Sequence, residues 1–212
     1  MAAMSPELVH VDDHLIVALK PAGLLSVPGR GEDKQDCLSA RVQAVLADAL
    51  VVHRLDMGTS GLLVFGRGKE AQRRLGDAFA ERQVDKRYVA VVAGRIAEPT
   101  GEIDLPLIVD WPNRPLQQVD KVNGKPSLTR WRVLGHDAAS DTTRVELEPV
   151  TGRSHQLRVH LLAIGHPIVG DALYAPPDVQ ARAPRLLLHA QSLALPHPDD
   201  GRVLSFVAPA PF

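Results

Sequence analysis

The sequence predicts an α+β domain built around a largely antiparallel or mixed sheet that is flanked by helices and loops. Three observations lead to this fold class: apolar runs of strand length, two amphipathic helical segments between them, and Gly/Pro-rich joints. No repeat or linker divides the 212 residues, so we expect a single domain. A chain of this length buries roughly 70% of its unfolded surface, and its core therefore needs no disulfide or metal staple.

Five runs have the composition of β-strands. The last of them alternates apolar Val145 and Leu147 with charged Arg144, Glu146 and Glu148, which is typical of a strand with one buried face. The other runs contain the aliphatic, β-branched or aromatic residues that are typical of strands. The predicted strands cover residues 15–19, 61–66, 87–93, 129–134 and 143–148.

Two segments have helical periodicity. In the first, residues 69–82, apolar residues recur every three or four positions and predict one buried face. The residues of that face are Ala71, Leu75, Ala78 and Phe79. The second, residues 155–164, has Ser154 as its predicted N-cap and Gly165 as its C-terminal stop. Its predicted apolar stripe is Leu157, Leu161 and Ile164.

The composition indicates in which compartment the protein works and which partners it can bind. The single Cys37 allows no disulfide, and neither a signal peptide nor an apolar run of ~18 residues is present, so we expect a soluble cytoplasmic protein without membrane contact. A formal net charge of −1 and few aromatic residues (four Phe, two Trp, two Tyr) are not typical of a nucleic-acid-binding surface. Any such surface has to be local.

One segment is locally basic, because residues 66–95 carry eight basic and four acidic side chains. Two interpretations stay open for it: contacts to the phosphates of a nucleic acid, or a solvated helix face. The basic residues are Arg67, Lys69, Arg73, Arg74, Arg82, Lys86, Arg87 and Arg95.

Two clusters of ionisable residues lie in apolar surroundings. The first, residues 53–61, places Asp56 between two apolar runs and before small turn residues, which is typical of a catalytic carboxylate or of a turn-capping Asp. The second, residues 151–160, opens the second predicted helix with Arg153 and His155 beside free backbone N–H groups, an arrangement suited to a phosphate. Its alternative is a polar helix end that faces water.

The two clusters have a common chemistry if Asp56 is a nucleophile or base and Arg158 is its partner. Burial raises the pKa of a carboxyl group, and a guanidinium that forms two hydrogen bonds with it and stays charged reverses that shift. A metal site is disfavoured, because His155 and His160 are five residues apart and no second Cys exists. Asp171 is the candidate second carboxylate of a glycoside hydrolase, although a structural Asp that caps a turn explains it equally well.

Taken in order, these segments resemble the motifs of the RluA family of RNA pseudouridine synthases. The resemblance spans residues 11–212. It implies that these residues form one pseudouridine synthase catalytic domain and that residues 1–10 are an N-terminal tail. The motifs are Lys20-Pro21-Ala22-Gly23-Leu24, His53-Arg54-Leu55-Asp56 with Thr59-Ser60-Gly61, Lys86-Arg87-Tyr88-Val89-Ala90, residues 151–160 with 165–171, and Arg185-Leu186-Leu187-Leu188-His189-Ala190.

The resemblance implies an isomerase that converts uridine to pseudouridine in structured RNA without a cofactor or a metal. It makes Asp56 the nucleophile, places Tyr88 against the target base and pairs Arg158 with Asp56. It further assigns Leu188 to an apolar wall and Arg54 to the space that the flipped base leaves. The remaining residues that it assigns to substrate binding are His53, Thr59, Arg153, His155 and Gln156.

Only 52 residues precede His53 and they already contain the first motif, so we expect no S4-type RNA-binding domain. Within the family the chain is most similar to short members of dual specificity, which modify the tRNA anticodon stem-loop (position 32) and a 23S rRNA hairpin (position 746). We expect a monomer without an obligate protein partner. The alternatives are an enzyme specific for rRNA or tRNA alone, or a noncatalytic RNA-binding module.

Overall fold

A computed structural model describes residues 5–212 of the chain. The strands are β1 (Glu7–Val11), β2 (Leu15–Lys20), β3 (Ala49–Val51), β4 (Ser60–Arg67), β5 (Asp85–Ala93), β6 (Thr100–Asp104), β7 (Leu107–Val109), β8 (Gln117–Val119), β9 (Leu128–Asp137), β10 (Thr142–Pro149), β11 (Leu188–Pro196) and β12 (Val203–Val207). The helices are α1 (Leu38–Gln43), α2 (Gly68–Ala80), α3 (Gln156–Ala163) and α4 (Pro177–Gln180), and Glu32–Lys34 forms a 3₁₀ turn.

The chain divides into two compact units. The first unit comprises the residues up to Lys86 together with Ala190–Pro211, and the second comprises Arg87–His189 together with Phe212. Antiparallel pairing joins β1–β2, β2–β4, β3–β4 and β11–β12 in the first unit, and β5–β10, β9–β10, β6–β9 and β7–β8 in the second. These pairs confirm the predicted α+β class and its largely antiparallel sheet. A single catalytic domain over residues 11–212 stays a prediction.

In the first unit the strands follow the order β1-β2-β4-β11, with β3 paired to β4 and β12 paired to β11. Helix α2 packs its predicted face into the core of this unit, where Ala71, Leu75 and Ala78 are buried. Gly66 permits the close approach of the helix to β4, because a Cβ atom at this position would lie 2.5 Å from the amide nitrogen of Gln72. The predicted helix and its buried face are thereby confirmed.

The prediction of an N-terminal tail is wrong for residues 7–10, which belong to β1. This strand pairs antiparallel with β2, and its residues are alternately exposed and half-buried along its length. This segment forms a strand because its backbone pairs with that of β2, and its own composition does not indicate this pairing. Residues 1–4 of the predicted tail lie outside the described part of the chain.

In the second unit the strands follow the order β5-β10-β9-β6, and β7 pairs with β8. The alternation predicted for β10 is present, since Thr143, Val145 and Leu147 are buried and their neighbours are half-buried. The main apolar core of this unit includes residues of β5, β10 and α3. All five predicted strands are confirmed, each extended by one to three residues at one or both ends.

Helix α3 begins differently from the prediction. Its N-cap is His155, in the left-handed region with φ 54°, and not Ser154. The predicted stop at Gly165 is confirmed: with φ +85°, Gly165 donates its N–H to Leu162 O at 2.9 Å and lets the following His166 donate to Leu161 O. Ile164 is 36% exposed, so the predicted stripe ends at Leu161.

Candidate active site

Asp56 lies in the loop between β3 and β4, and hydrogen bonds fix the backbone on both sides of it. The hydroxyl of Ser26 donates to Leu55 O at 2.7 Å and accepts from Leu55 N at 3.0 Å. After the aspartate, the N–H of Thr59 donates to Asp56 O at 3.1 Å. The side chain of Arg54 is exposed, Leu55 is buried and Asp56 is half-buried. The loop therefore presents an aspartate on a backbone that is already ordered.

Lys20 anchors the same loop from the end of β2. Its side chain is fully buried, and its ammonium donates to three backbone carbonyls: Leu24 O at 2.7 Å, Pro21 O at 3.0 Å and Met57 O at 3.1 Å. Met57 O also accepts from Gly23 N at 2.8 Å. A buried ammonium is costly unless its donors are satisfied, and here three carbonyls satisfy them. Lys20 belongs to the first motif of the resemblance, which assigns no role to it.

His53 is a structural anchor of this loop in the neutral form. Its Nε2 accepts a hydrogen bond from Val64 N at 3.1 Å, and its ring stacks on Phe79 with 4.6 Å between centroids. Burial, with a smaller contribution from the charge of Lys86, lowers the pKa of His53 to about 3. These contacts connect the loop to β4 and α2. The predicted contact of His53 with substrate stays a prediction.

The small residues that follow Asp56 are explained by a close approach of two strands. Thr59 and Ser60 are buried, and Gly61 has φ +122°. A Cβ atom on Gly61 would lie 2.3 Å from Ala190 O on β11, a distance that real Cβ atoms do not reach. Glycine is therefore required at this position both for its dihedral angle and for space.

In the second unit, Arg158 lies in the first turn of α3 and forms a buried ion pair with Asp171. The guanidinium donates Nε to Oδ2 at 2.8 Å and Nη2 to Oδ1 at 2.6 Å, and the two side chains are 7% and 1% exposed. Asp171 Oδ1 also accepts from the backbone N–H groups of Leu173 at 2.9 Å and Tyr174 at 3.2 Å. The interpretation of Asp171 as a structural turn cap is confirmed, and it leaves the glycoside hydrolase without its second acid. The pairing of Arg158 with Asp56 stays a prediction.

Tyr174, which is not among the predicted site residues, contacts two of them. Its hydroxyl lies 2.6 Å from His155 Nδ1 and accepts a hydrogen bond from Gln117 N at 2.9 Å. The guanidinium carbon of Arg158 lies 4.9 Å from the centre of its ring. Its only signal in the sequence is its type, since Tyr174 and Tyr88 are the two tyrosines of the chain.

Gln156 has a structural role in the turn before α3. Its Oε1 accepts from Thr151 Oγ1 at 2.7 Å and from Arg153 N at 3.0 Å, and its Nε2 donates to Leu128 O and Thr129 Oγ1, both at 3.0 Å. These four bonds use both donors and both acceptor positions of the amide. The predicted contact between Gln156 and the substrate stays a prediction. Arg153 is exposed beside this turn.

Tyr88 and Leu188 belong to the same apolar region of the second unit. Leu188 is a member of the main core cluster, and Tyr88 on β5 packs against that cluster while half-buried. In the strand register Tyr88 lies opposite Leu147 of β10. Leu188 therefore lies in an apolar core, and its part in a wall of the substrate site stays a prediction. The contact of Tyr88 with a target base stays a prediction.

Much of the basic segment is neutralised by the protein itself. Arg73 pairs with Glu70 and Asp77, both at 2.9 Å, and Arg74 pairs with Glu70 at 2.8 Å. Further ion pairs are Arg67–Asp48 and Arg87–Glu148. These contacts favour the solvated helix face for the arginines of α2. Lys69, Arg82 and Arg95 are exposed.

Within residues 5–212, no group of three or more His, Cys, Asp or Glu side chains is arranged to hold a metal ion. His160, one of the two histidines weighed for such a site, is buried: its Nδ1 contacts Thr129 Oγ1 and its Nε2 contacts Leu105 O, both at 2.9 Å. Burial lowers the pKa of this imidazole. No helix in the described part of the chain is long and apolar enough to cross a membrane.

Comparison with known proteins relates these motifs to one family. Residues 14–163 match the family model described as RNA pseudouridylate synthase. The chain is 52% identical over 205 residues to a protein of Escherichia coli K12 named dual-specificity RNA pseudouridine synthase RluA, and the match covers 97% of this chain and 93% of that protein. A protein of the same name from Pasteurella multocida is 50% identical over 206 residues, which cover 97% of this chain and 94% of the relative.

Two solved structures share the fold over nearly the whole chain. Human RNA pseudouridylate synthase domain containing 1 superposes with a TM-score of 0.82 at 30% identity, over 100% of this chain and 86% of that one. Human RNA pseudouridylate synthase domain containing 4 superposes with a TM-score of 0.79 at 26% identity, over 97% and 88% of the two chains.

Proposed function

The chain belongs to the RNA pseudouridylate synthase family, and we propose that it isomerises uridines in two kinds of RNA, the tRNA anticodon stem-loop and a 23S rRNA hairpin. The family makes it an RNA pseudouridine synthase, which is an isomerase. Its identity of 50–52% with relatives named dual-specificity, over 97% of the chain, supports two substrates. The enzyme acts in the cytoplasm as a monomer, with residues 11–212 as its catalytic domain.

Asp56 is the nucleophile of this reaction, and the observation that carries the assignment is its ordered loop. Buried Lys20 and Ser26 hold the backbone of its neighbours Met57 and Leu55. The carboxylate therefore meets a substrate with little reorganisation, which is the requirement for preorganised catalysis. Attack at the sugar C1′, addition to the base and initial deprotonation toward a glycal all need Asp56 unprotonated.

The uridine has to leave its stack before it reacts, because the C1′–N1 bond must break and a C1′–C5 bond must form on a base that stacking encloses. Extrusion of the nucleotide costs a few kcal/mol. In this proposal the ring of Tyr88 and the apolar wall at Leu188 receive the base, and exposed Arg54 fills the space that it leaves. Arg158 is the cation that we propose to pair with Asp56.

We propose further RNA contacts for residues in or near the Asp56 loop and the turn before α3. Arg153 is exposed at the turn before α3, where the first N–H groups of a helix and its positive dipole end favour a phosphate. The other residues proposed to contact RNA are His53, Thr59, His155 and Gln156, although the four internal hydrogen bonds of Gln156 make it the weakest of them.

The replacement Asp56→Asn tests the nucleophile. We expect no pseudouridine, scored as a carbodiimide-dependent reverse-transcription stop on an anticodon stem-loop, while circular dichroism and RNA affinity stay close to the wild type. The matched control is Asp13→Asn, because the Asp13 side chain is 98% exposed. Full activity of Asp56→Asn would refute the assignment.

The same assay separates the alternatives. A noncatalytic RNA-binding module would bind the stem-loop and give no stop, and a glycoside hydrolase would release free uracil, which chromatography detects. Pseudouridine mapped across total RNA from cells with and without the gene decides the substrates. Dual specificity predicts that cells without the gene lack pseudouridine at one site in tRNA and at one site in 23S rRNA, whereas loss from one RNA class alone would show single specificity.

A further inference from the structure

Tyr174 lies in the turn that follows Asp171, outside the residues to which a role has been assigned. Three groups converge on this side chain: the guanidinium of Arg158, the imidazole of His155 and the backbone N–H of Gln117. They come from α3, from the residue that caps it and from the start of β8. The ring and the hydroxyl serve different partners, so their contributions can be separated by substitution.

The ring of Tyr174 packs against the Arg158 guanidinium. Asp171 binds two nitrogens at the edge of the guanidinium, at 2.8 and 2.6 Å, and this contact restrains the fork within its plane. The ring adds a second contact, since the guanidinium carbon lies over it, 4.9 Å from its centre. Asp171 also accepts the N–H of Tyr174 at 3.2 Å, so the backbone of the tyrosine is tied to the same ion pair.

The hydroxyl of Tyr174 connects His155 to the loop that precedes β8. It lies 2.6 Å from Nδ1 of His155, a residue held in the left-handed region with φ 54°. It also accepts the N–H of Gln117 at 2.9 Å. One oxygen therefore fixes both the imidazole and the end of the neighbouring loop.

That loop, residues 110–116, presents an exposed aromatic side chain on an ordered backbone. It is closed by hydrogen bonds from Asp110 N to Leu116 O at 2.9 Å and from Leu116 N to Asn113 O at 3.0 Å. Trp111 is 63% exposed, and the guanidinium of Arg114 stacks on it at 4.6 Å. Aromatic rings and guanidinium planes are the surfaces on which unpaired bases stack. The orientation of this loop therefore bears on RNA binding.

We propose that Tyr174 is a positioning residue with two separable roles. Its ring fixes the orientation of Arg158 and so supports the chemical step, and its hydroxyl fixes His155 and the Trp111 loop and so supports RNA binding. The proposal rests on the proposed function, because it concerns the substrate and the reaction of that site.

Two replacements separate the roles when kcat and KM are measured on an anticodon stem-loop. Tyr174→Phe keeps the ring and loses the hydroxyl, so we expect KM to rise about five- to tenfold, the equivalent of one net hydrogen bond, with kcat within about twofold of the wild type. Tyr174→Leu also loses the ring, so we expect kcat to fall a further fivefold to thirtyfold, as for a desolvated cation–π contact.

Val179→Ala is the control for a purely structural effect. Val179 is buried in a small apolar cluster of the same unit and makes none of these contacts. An unchanged KM in Tyr174→Phe, or a kcat in Tyr174→Leu no lower than in Val179→Ala, overturns the proposal. If circular dichroism shows Tyr174→Leu unfolded, Tyr174→Met, whose longer unbranched side chain adapts to the space of the ring, replaces it under the same criterion. Absence of product with the wild-type enzyme would instead contradict the proposed function.

Discussion

Replacement of Asp171 by Asn removes the charge that compensates buried Arg158 within its own unit. The amide oxygen can take the place of Oδ1 and keep the bonds from Arg158 Nη2, Leu173 N and Tyr174 N. In the wild type, Arg158 Nε donates to Oδ2 at 2.8 Å. In the variant the amide NH₂ takes the place of Oδ2, so this charge-assisted hydrogen bond becomes a contact between two donors. Breaking a buried pair from one side costs about 3–5 kcal/mol.

The free energy of unfolding from urea titrations, read by circular dichroism, measures this cost. At about 2–4 °C per kcal/mol, the melting temperature should fall by roughly 6–20 °C. Glu102→Gln is the matched control, since its ion pair with Arg130 is 57% and 51% exposed, and exposed pairs contribute about 0–1 kcal/mol.

A double replacement sharpens the test. Asp171→Asn with Arg158→Met removes both charges, so the double variant should be more stable than Asp171→Asn alone, because no uncompensated cation stays buried. An Asp171→Asn variant that loses no more stability than Glu102→Gln would refute the reasoning. So would a double variant that loses the sum of the two single losses.

Three further predictions concern the first unit. His53→Gln should flatten the loss of stability in acid: below pH 6.5 the unfolded chain binds a proton that the folded imidazole, with its pKa of about 3, does not bind, so the wild type loses up to about 2 kcal/mol by pH 5. Equal urea midpoints across this range in both proteins would contradict it. Lys20→Met should cost at least about 3 kcal/mol and lower kcat, because three carbonyls around the Asp56 loop lose their donor; wild-type turnover in the folded variant would exclude the positioning role. Arg82→Gln should lower the slope of log affinity for RNA against log salt by about 0.7–1, whereas Arg73→Gln, already paired with carboxylates, should leave it unchanged; equal slopes in both would return Arg82 to the solvated face.

The elements that could be predicted are those whose own residues show the periodic apolar pattern of a buried face. Strand β10 shows a strict alternation and α2 a continuous apolar face, and both are present as expected. Strand β1 and the six-residue helix α1 were missed for physical reasons. The exposed valines of β1 carry no clear period, and α1 depends on backbone contacts such as Leu38 N to Leu25 O, which join segments distant in sequence.

The same distinction applies to the candidate site. Asp56, Tyr88 and Arg158 could be named because short motifs surround them. The role of Lys20 could not be predicted, because its ammonium binds the carbonyls of Leu24 and Met57 together. Only the folded chain shows that these two carbonyls lie close to each other. Tyr174 likewise gains its role from Gln117, a residue 57 positions earlier in the chain.

Both units contain a buried cation whose donors are taken up by the surrounding structure, and stability alone does not account for this. Lys20 is surrounded by three carbonyls and Arg158 by a bidentate carboxylate and a tyrosine ring. Apolar side chains of similar volume often stabilise a core as well as a buried ion does. What a satisfied cation adds is geometry, because each fixed donor sets the position of one backbone or carboxylate oxygen. If Asp56 is the nucleophile, as we propose, such fixed cations provide the ordered electrostatic surroundings that its reaction requires.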